Sequence, residues 1–416
     1  MTCESRLDAL NLTLARARRG EFYRERLPAT PLNSLAALAE IPLTTKEDLR
    51  SASPYGLLCV PLAEVAQYHE SFGTTGTPVS AWYTEQDLRD NDAQIDFGDV
   101  GLGATDLMLI RFPYAISSAA HLFHHAAQAR GAGVIPASSR STVSPYPRVI
   151  TLLHKLGVTV MAALPLQGLL LARTAELMGF VPSRDFPELR AICTAGETLT
   201  PVRRDLLHQL WGVPVFNFYG LTELGNVASD CRFGHLHPHE NFLVEVLADD
   251  LRSPAEPGQA GHLVVTTLRR QASPVIRFLT GDRARLVPGC PCGRGDYLEL
   301  RGRTADAIEA GGRLFDQWEL EEIVSHLPCK RFWAVAPAPW GLHFVVEQET
   351  PWDTVSPDLR RFLERKFGVG LAFEVVHQGS FHEPLELLSA SEVGKPRYIY
   401  TEEELRRGAH LGSKRT

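Results

Sequence analysis

The chain has 416 residues, with 42 lysines and arginines against 49 aspartates and glutamates, for a formal net charge of −7. That balance excludes the broad basic face on which nucleic-acid binding rests, and no apolar run approaches the roughly 18–20 residues of a membrane span. The N-terminus, MTCESRLDAL, shows no secretory apolar region, and the seven cysteines are odd in number and scattered apart from Cys290 and Cys292. This usage fits a reducing cytoplasm better than a disulfide framework, so the expected location is cytoplasmic and the expected state a monomer or homodimer.

In chain order, residues 1–70 read as helices. The run TTKE at 44–47 reads as a capping box, which makes Lys46 a solvated helix-start residue. The stretch Ser71–Pro78, SFGTTGTP, is too dense in glycine and threonine for a core. Gly73 and Gly76 let the main chain approach a ligand closely. Ser71, Thr74, Thr75 and Thr77 add hydroxyls among exposed N–H groups, so the loop can wrap an anion. No lysine follows the second glycine, so it is not the nucleotide loop ending in Gly-Lys-Ser/Thr. Thr84–Asp87 reads as a capping box opening a helix that reaches about Phe97.

From Asp106 to Gly220 short apolar runs alternate with helical periods. Strands are expected at Leu107–Ile110, Gly133–Pro136, Val158–Ala162, Leu189–Cys193 and Val213–Phe218. Helices are expected at Ser117–Gly131, Pro147–Gly157, Leu166–Gly179 and Pro201–Trp211, the last with Thr200 as N-cap. This alternation implies an α/β fold with a doubly wound parallel sheet, whose ligands sit beyond the carboxyl ends of the strands. From about 242 to 300 the runs FLVEVL, GHLVVTTL, VIRFL, RARLV and YLELR alternate with Pro/Gly turns and read as a β-rich subdomain. Residues 1–302 thus form a large N-terminal domain, and 303–416 a smaller α+β C-terminal domain of roughly 110 residues.

Polar residues recur where a strand is expected to give way to a turn: Thr194-Ala195-Gly196-Glu197, Tyr219-Gly220-Leu221-Thr222-Glu223, Thr280-Gly281-Asp282, Gly302–Asp306 and Gly394-Lys395-Pro396-Arg397. Singly each is weak; in this order and at these separations they are strong. The sequence resembles the adenylate-forming superfamily of acyl- and aryl-CoA synthetases, and within it the phenylacetate–coenzyme A ligases. The likeness rests on YRERL at 23–27, TTKEDLRSASPYGLLCVPL at 44–62, SFGTTGTP, FYGLTE, TTL…VIRF…TGD and CGRGDYLELRGR, and covers the chain from about Phe22 to Tyr400.

The resemblance implies ATP, Mg²⁺ and coenzyme A as cofactors and a two-step reaction. A carboxylate attacks the α-phosphorus of ATP to give an acyl-adenylate, and a thiol then displaces AMP. By that likeness the loop Ser71–Pro78 would hold the β- and γ-phosphates and Glu223, with Thr222 beside it, would hold Mg²⁺. Tyr219 and Gly220 would flank the adenine with Ala195, Gly196 and Glu197. Asp282 would accept from the ribose hydroxyls, Arg303 would reach ribose or phosphate, and Lys395 would be the movable catalytic cation. The C-terminal domain would turn about Gly302–Asp306 between the two steps. Three residues depart from the family's pattern: Ala305 at the hinge, Phe72 in the loop, and Leu279 before Thr-Gly-Asp. The acid pocket, an aromatic carboxylate by resemblance, would lie around Tyr114, His124, Gly196 and Gly225. Two other outcomes stay open: transfer to an acyl-carrier protein's pantetheine or to an amine, and a degenerate nucleotide-binding protein.

A second constellation is Cys231-x5-His237 with Cys290-x-Cys292. Two thiolates one residue apart plus a remote Cys/His pair suffice for a tetrahedral structural zinc site. His235 and His239 are rival ligands, and the set would staple the sheet region to the β-rich subdomain.

Overall fold

The computed structural model describes residues 3–71, 77–328, 331–348, 354–389 and 397–410. An N-terminal helix α1 (Cys3–Ala17) and a short α2 (Lys46–Ala52) precede a hairpin of β1 (Val65–Glu70) and β2 (Ser80–Thr84). Helix α3 (Glu85–Gln94) follows. Its N-cap Thr84 accepts the Asp87 N–H, and Asp87 accepts the Thr84 N–H in return, as the sequence predicts. Two expectations are corrected here. Residues 65–70 are a strand rather than a helix, and its mostly half-exposed VAQYHE run carries no alternation that would betray it. The α2 capping box lies one residue later than TTKE, between Thr45 and Asp48. Thr44 is taken up instead by Tyr23 and by the Ile276 carbonyl, to which its hydroxyl donates at 2.7 Å.

The central sheet then builds from β3 (Leu107–Ile110), α4 (Ser118–Ala129), β4 (Gly133–Pro136), α5 (Tyr146–Lys155), β5 (Val160–Ala163), α6 (Pro165–Leu177), β6 (Ala191–Ala195), α7 (Pro201–Trp211) and β7 (Val215–Leu221). Strands β4, β3, β5, β6 and β7 are mutually parallel in that spatial order. Every residue of β5 and β6 is buried, because helices cover both faces. Helix α7 starts where proline at its first turn and the Thr200 cap predict, and Gly212, at φ 72°, closes it.

Beyond β7 the ladder turns antiparallel through β8 (Gly225–Asp230), β9 (Leu236–Pro238), β10 (Phe242–Leu247), β11 (Gly261–Thr267), β12 (Phe278–Val287) and β13 (Tyr297–Arg303). Among the described residues all eleven strands share one sheet, ordered β10-β11-β12-β13-β9-β8-β7-β6-β5-β3-β4. The β-rich stretch is therefore continuous with the parallel sheet. VIRFL and RARLV belong to one approach and one strand, so Thr280-Gly281-Asp282 lies inside β12 rather than at a strand end. A register shift at Arg283/Ala284 and Gly281 at φ 81° let the motif bulge out of the ladder.

The smaller domain carries the hairpin β14 (Ile308–Ala310) and β15 (Arg313–Phe315), helix α8 (Gln317–Ser325), and the strands β16 (Trp333–Ala338), β17 (Gly341–Glu347) and β18 (Gly370–Val376). Helix α9 (Pro357–Phe367) crosses between the last two, which are parallel. Ile308, Phe315, Leu320, Trp333 and Phe344 centre its own core. Phe332, Ala336, Phe381, Leu387 and Tyr400 instead join the core built by α5, α6 and α7, so an apolar seam binds the two domains. No helix among the described residues is long and apolar enough to cross a membrane.

Candidate active site and metal cluster

The stretch Ser71–Pro78 connects β1 to β2 in the chain. Its neck is closed by two hydrogen bonds: the Ser71 N–H donates to the Val79 carbonyl at 2.9 Å, and the Val79 N–H to Ser71 Oγ at 3.0 Å. Phe72, Gly73, Thr74, Thr75 and Gly76 lie outside the described residues. Ser71 faces a cavity of about 200 Å³, together with Glu197, Thr222, Glu223 and Arg303. The opposite wall is apolar, formed by Ile95, Phe112, Leu122, Phe123 and Leu164. A second cavity of about 810 Å³ opens between the domains, lined by Tyr219, Asp282, Gly302, Asp306 and Tyr398 among others. Gly196, Glu197, Gly220, Leu221 and Arg303 belong to both, so the two cavities meet at the carboxyl ends of β6 and β7.

Strand ends position these side chains. Ala195 closes β6 and Gly196 turns the chain at φ 81°. Glu197 then reaches the N-terminus of α6, where Oε2 accepts the Leu166 N–H at 3.1 Å. The run Tyr219–Gly225 folds into the tight β7–β8 turn. A Cβ on Gly220 would lie 2.5 Å from the Gly225 carbonyl oxygen, so no side chain fits there. Thr222 and Glu223 ride on its tip, with the Thr222 carbonyl held by Tyr83 Oη at 3.2 Å.

Asp282 receives the Tyr219 hydroxyl at 2.6 Å and faces Arg303 Nε at 3.6 Å. Burial pushes its carboxyl above the ordinary value, and the opposing pull of Arg303 and Tyr219 does not cancel this. Burial and then the Asp282 charge hold the Tyr219 phenol well above its ordinary value, so it remains a donor. Glu223 is buried, and its Oε1 receives no hydrogen bond among the described residues. The nearest cation is Lys46 Nζ, at 3.7 Å. Lys46 is thus no solvated helix-start residue. Because the box caps at Thr45, Lys46 occupies the first helical position and lines the smaller cavity beside Ser71.

Two expected pocket residues stand aside. Tyr114 and His124 do not line either cavity; Tyr114 Oη bonds His124 Nδ1 at 3.0 Å, and Tyr114 packs against the core that includes Phe112 and Phe123. Lys395 lies outside the described residues. Just after it, Arg397 is held by Glu404 through two bonds of 2.7 Å.

At the far end of β8 the structure brings together Cys231, His237, Cys290 and Cys292, with one ligand atom of each within 4.8 Å of the others. Cys231 Sγ and Cys290 Sγ are 3.7 Å apart, and Cys292 Sγ lies 3.2 Å from His237 Nε2. Tetrahedral zinc with Zn–S of about 2.3 Å and Zn–N of about 2.0–2.1 Å requires edges of roughly 3.5–3.8 Å, close to these two separations. His237 Nδ1 sits 3.1 Å from the Asp296 carbonyl. A carbonyl only accepts, so that nitrogen carries the proton and Nε2 presents its lone pair to the thiols. Of the rivals, His239 Nδ1 accepts the Asn241 N–H, whereas His235 stacks on Tyr297 at 3.9 Å and its Nδ1 lies 3.1 Å from Cys290 Sγ, at the edge of the cluster. The cluster ties the β8–β9 turn to the β12–β13 turn, where β9 and β13 share only the Leu236–Leu298 pairing.

Fold and site together define an α/β protein with two adjoining cavities at the carboxyl ends of its parallel strands, one of them with an apolar wall. A model of AMP-binding enzymes matches residues 71–267. The chain is 30% identical to the phenylacetate–coenzyme A ligase of Thermus thermophilus, over 74% of this chain and 71% of that protein. Its fold superposes on 2-hydroxyisobutyryl-CoA ligase in the postadenylation state, in complex with 2-HIB-AMP, with a TM-score of 0.86 at 20% identity, covering 98% of this chain and 91% of that one. The same ligase in the thioesterification state gives a TM-score of 0.69 at 20% identity, with the same coverage. The chain belongs to the AMP-binding, adenylate-forming enzymes, in the group of the phenylacetate–coenzyme A ligases.

Proposed function

We propose that this AMP-forming acid–thiol ligase activates an aromatic carboxylic acid and passes it to coenzyme A. One observation carries the choice of acid: a small cavity with a wall of Phe112, Phe123, Leu122 and Leu164 opens through Gly196, Gly220 and Arg303 into the larger cavity that holds Asp282. About 150 Å³ is enough for benzene in a dry apolar cavity, so a pocket of about 200 Å³ suits one ring with a short carboxylate arm. The ring lies against the apolar wall, and its carboxylate points to where the cavities meet.

In the first step the carboxylate oxygen attacks the α-phosphorus and pyrophosphate leaves. In the second the thiolate sulfur of coenzyme A attacks the acyl carbon, AMP leaves, and the thiol proton passes to solvent. Asp282 binds the ribose hydroxyls, the task of a two-oxygen acceptor already fixed on one side by Tyr219. Ser71 and the loop it closes donate to the outer phosphates. The enclosed, undonated oxygen of Glu223 fits a hard cation such as Mg²⁺, which when bound offsets phosphate charge. Lys46 and Arg303 flank the same junction and reduce the repulsion between carboxylate and polyphosphate. Lys395 adds positive charge as the first transition state forms. Cys231, His237, Cys290 and Cys292 hold a structural zinc ion; with four protein ligands the ion has no open position for chemistry.

The test is pyrophosphate release from ATP over a panel of aromatic and aliphatic acids, with and without coenzyme A. Release selective for aromatic acids, with turnover only when coenzyme A is present, is expected. Preference for aliphatic acids would overturn the pocket assignment, and turnover indifferent to coenzyme A would overturn the acceptor.

A further inference from the structure

One buried polar cluster is used by none of these roles. It lies on the seam, where α7 of the large domain meets α8 of the small one. Arg203 of α7 and Glu321 of α8 are both 2% exposed and paired through Arg203 Nη2 and Glu321 Oε1. Thr200, the cap of α7, accepts the Arg203 N–H at 3.1 Å and donates its hydroxyl to the other Glu321 oxygen. The second terminal nitrogen of Arg203 donates to Tyr398 Oη at 2.6 Å, and its guanidinium carbon stands 4.8 Å from the centre of that ring. Tyr398 in turn stacks on Trp333 at 4.8 Å and is tied to β16 by a bond of 2.8 Å from the Val335 N–H.

Both ends of this cluster lead back to the site. Thr200 and Arg203 continue directly from Ala195–Glu197, the turn that lines both cavities. Tyr398 itself lines the larger cavity and follows closely on Lys395 in the chain. A buried ion pair adds little net stability over apolar packing, yet breaking one side of it is costly because a bare charge is left behind. Its value lies in geometry: planar Arg203 donates to a carboxylate and a phenol in one orientation only. An apolar seam alone would let the small domain slide.

We propose that Thr200 and Arg203 are positioning residues for the adenylation step: by gripping Glu321 and Tyr398 they orient the small domain over the junction of the two cavities. This rests on the reaction assigned above and on the role of Lys395 in its first step. Thiolysis of an adenylate already formed does not need that cation and so does not need the grip.

The two half-reactions separate this from a purely structural role. Tyr398→Phe keeps the ring on Trp333 and removes only the hydroxyl; Glu321→Gln keeps the shape and removes the charge. Each is expected to lower kcat for phenylacetate-dependent ATP–pyrophosphate exchange by about tenfold or more, with KM for ATP within about twofold. Thiolysis of supplied phenylacetyl-adenylate by coenzyme A should stay within about twofold of wild type. Arg203→Met is the harsher variant, and the two conservative ones keep the test valid if it misfolds. Equal losses in both half-reactions, or unchanged exchange, would overturn the proposal. Absence of exchange in the wild-type protein with every acid of the panel would overturn the reaction itself, and the proposal with it.

Discussion

Two aspartates at opposite ends of the sheet behave in opposite ways. Asp106, at the amino end of β3, accepts from Arg190 twice (2.9 and 2.7 Å), from the Thr159 hydroxyl at 2.7 Å and from the Gly103 N–H at 2.9 Å. Burial alone would raise it, but these donors outweigh burial and bring it down to about 2. Asp282, near the carboxyl ends of β6 and β7, has one phenol and a distant guanidinium, and burial leaves it raised. Glu223 beside it has an enclosed oxygen without a donor among the described residues. A carboxylate satisfied by the protein holds the fold together. One left short of partners is kept, at a cost in stability, for a ligand.

Substitutions at the two ends should break this symmetry. The largest effect is expected at the carboxyl end: Asp282→Ala and Glu223→Gln should each lower kcat/KM for acyl-adenylate formation by about 10²–10³-fold. Their Tm should be unchanged or higher, and a matching fall in Tm would erase the distinction. Lys46→Met should cost about tenfold in the same assay, with the loss most visible at low ATP; an unaffected variant would return Lys46 to the role of a helix-start residue. Stability effects come next. Zinc is expected on metal analysis of protein purified without chelators, and its removal or Cys292→Ser should lower Tm by about 5 °C while turnover per folded molecule is kept. Metal-free protein of equal Tm would remove that site from the account.

The smallest effect is expected at the amino end. The Asp106 pKa lies near 2 in the folded chain and about 3.9 when unfolded. Its contribution is therefore fully present above about pH 4 and is lost as pH falls through about 2. Asp106→Asn should lose about 1–2 kcal/mol at neutral pH, discounting for the part-exposed Arg190, and its stability should fall less steeply between pH 4 and 2. Turnover should not change, and an acid profile equal to wild type would contradict the assignment.

Much of this was legible in the sequence, for reasons tied to particular residues. The strands at Leu107–Ile110 and Gly133–Pro136 and the helix at Pro201–Trp211 match the expected bounds, because short apolar runs are bracketed there by caps, proline and glycine. The Cys/His set assembled as expected, since few soft ligands are available and two of them are nearly adjacent. Register within ambiguous runs was harder to read. Thr44 and Thr45 offer two hydroxyls, and Glu47 and Asp48 two acids, so the sequence alone puts the box one residue early and turns Lys46 away from its cavity. Tyr114 and His124 satisfy each other, which no spacing reveals. The seam was illegible because Arg203, Glu321 and Tyr398 come from three distant stretches, each of which reads alone as an ordinary helix or tail.

The most direct test of the central claim is to trap the intermediate. The protein is mixed with ATP, Mg²⁺ and the aromatic acid of the panel that gives the fastest pyrophosphate release, without coenzyme A, quenched, and analysed by mass spectrometry; coenzyme A is then added to a parallel sample. The account predicts the corresponding acyl-adenylate at up to one equivalent per chain, replaced by the acyl-coenzyme A thioester and AMP after the addition. Hydrolysis of ATP to ADP, or thioester formed with no adenylate preceding it, would contradict it.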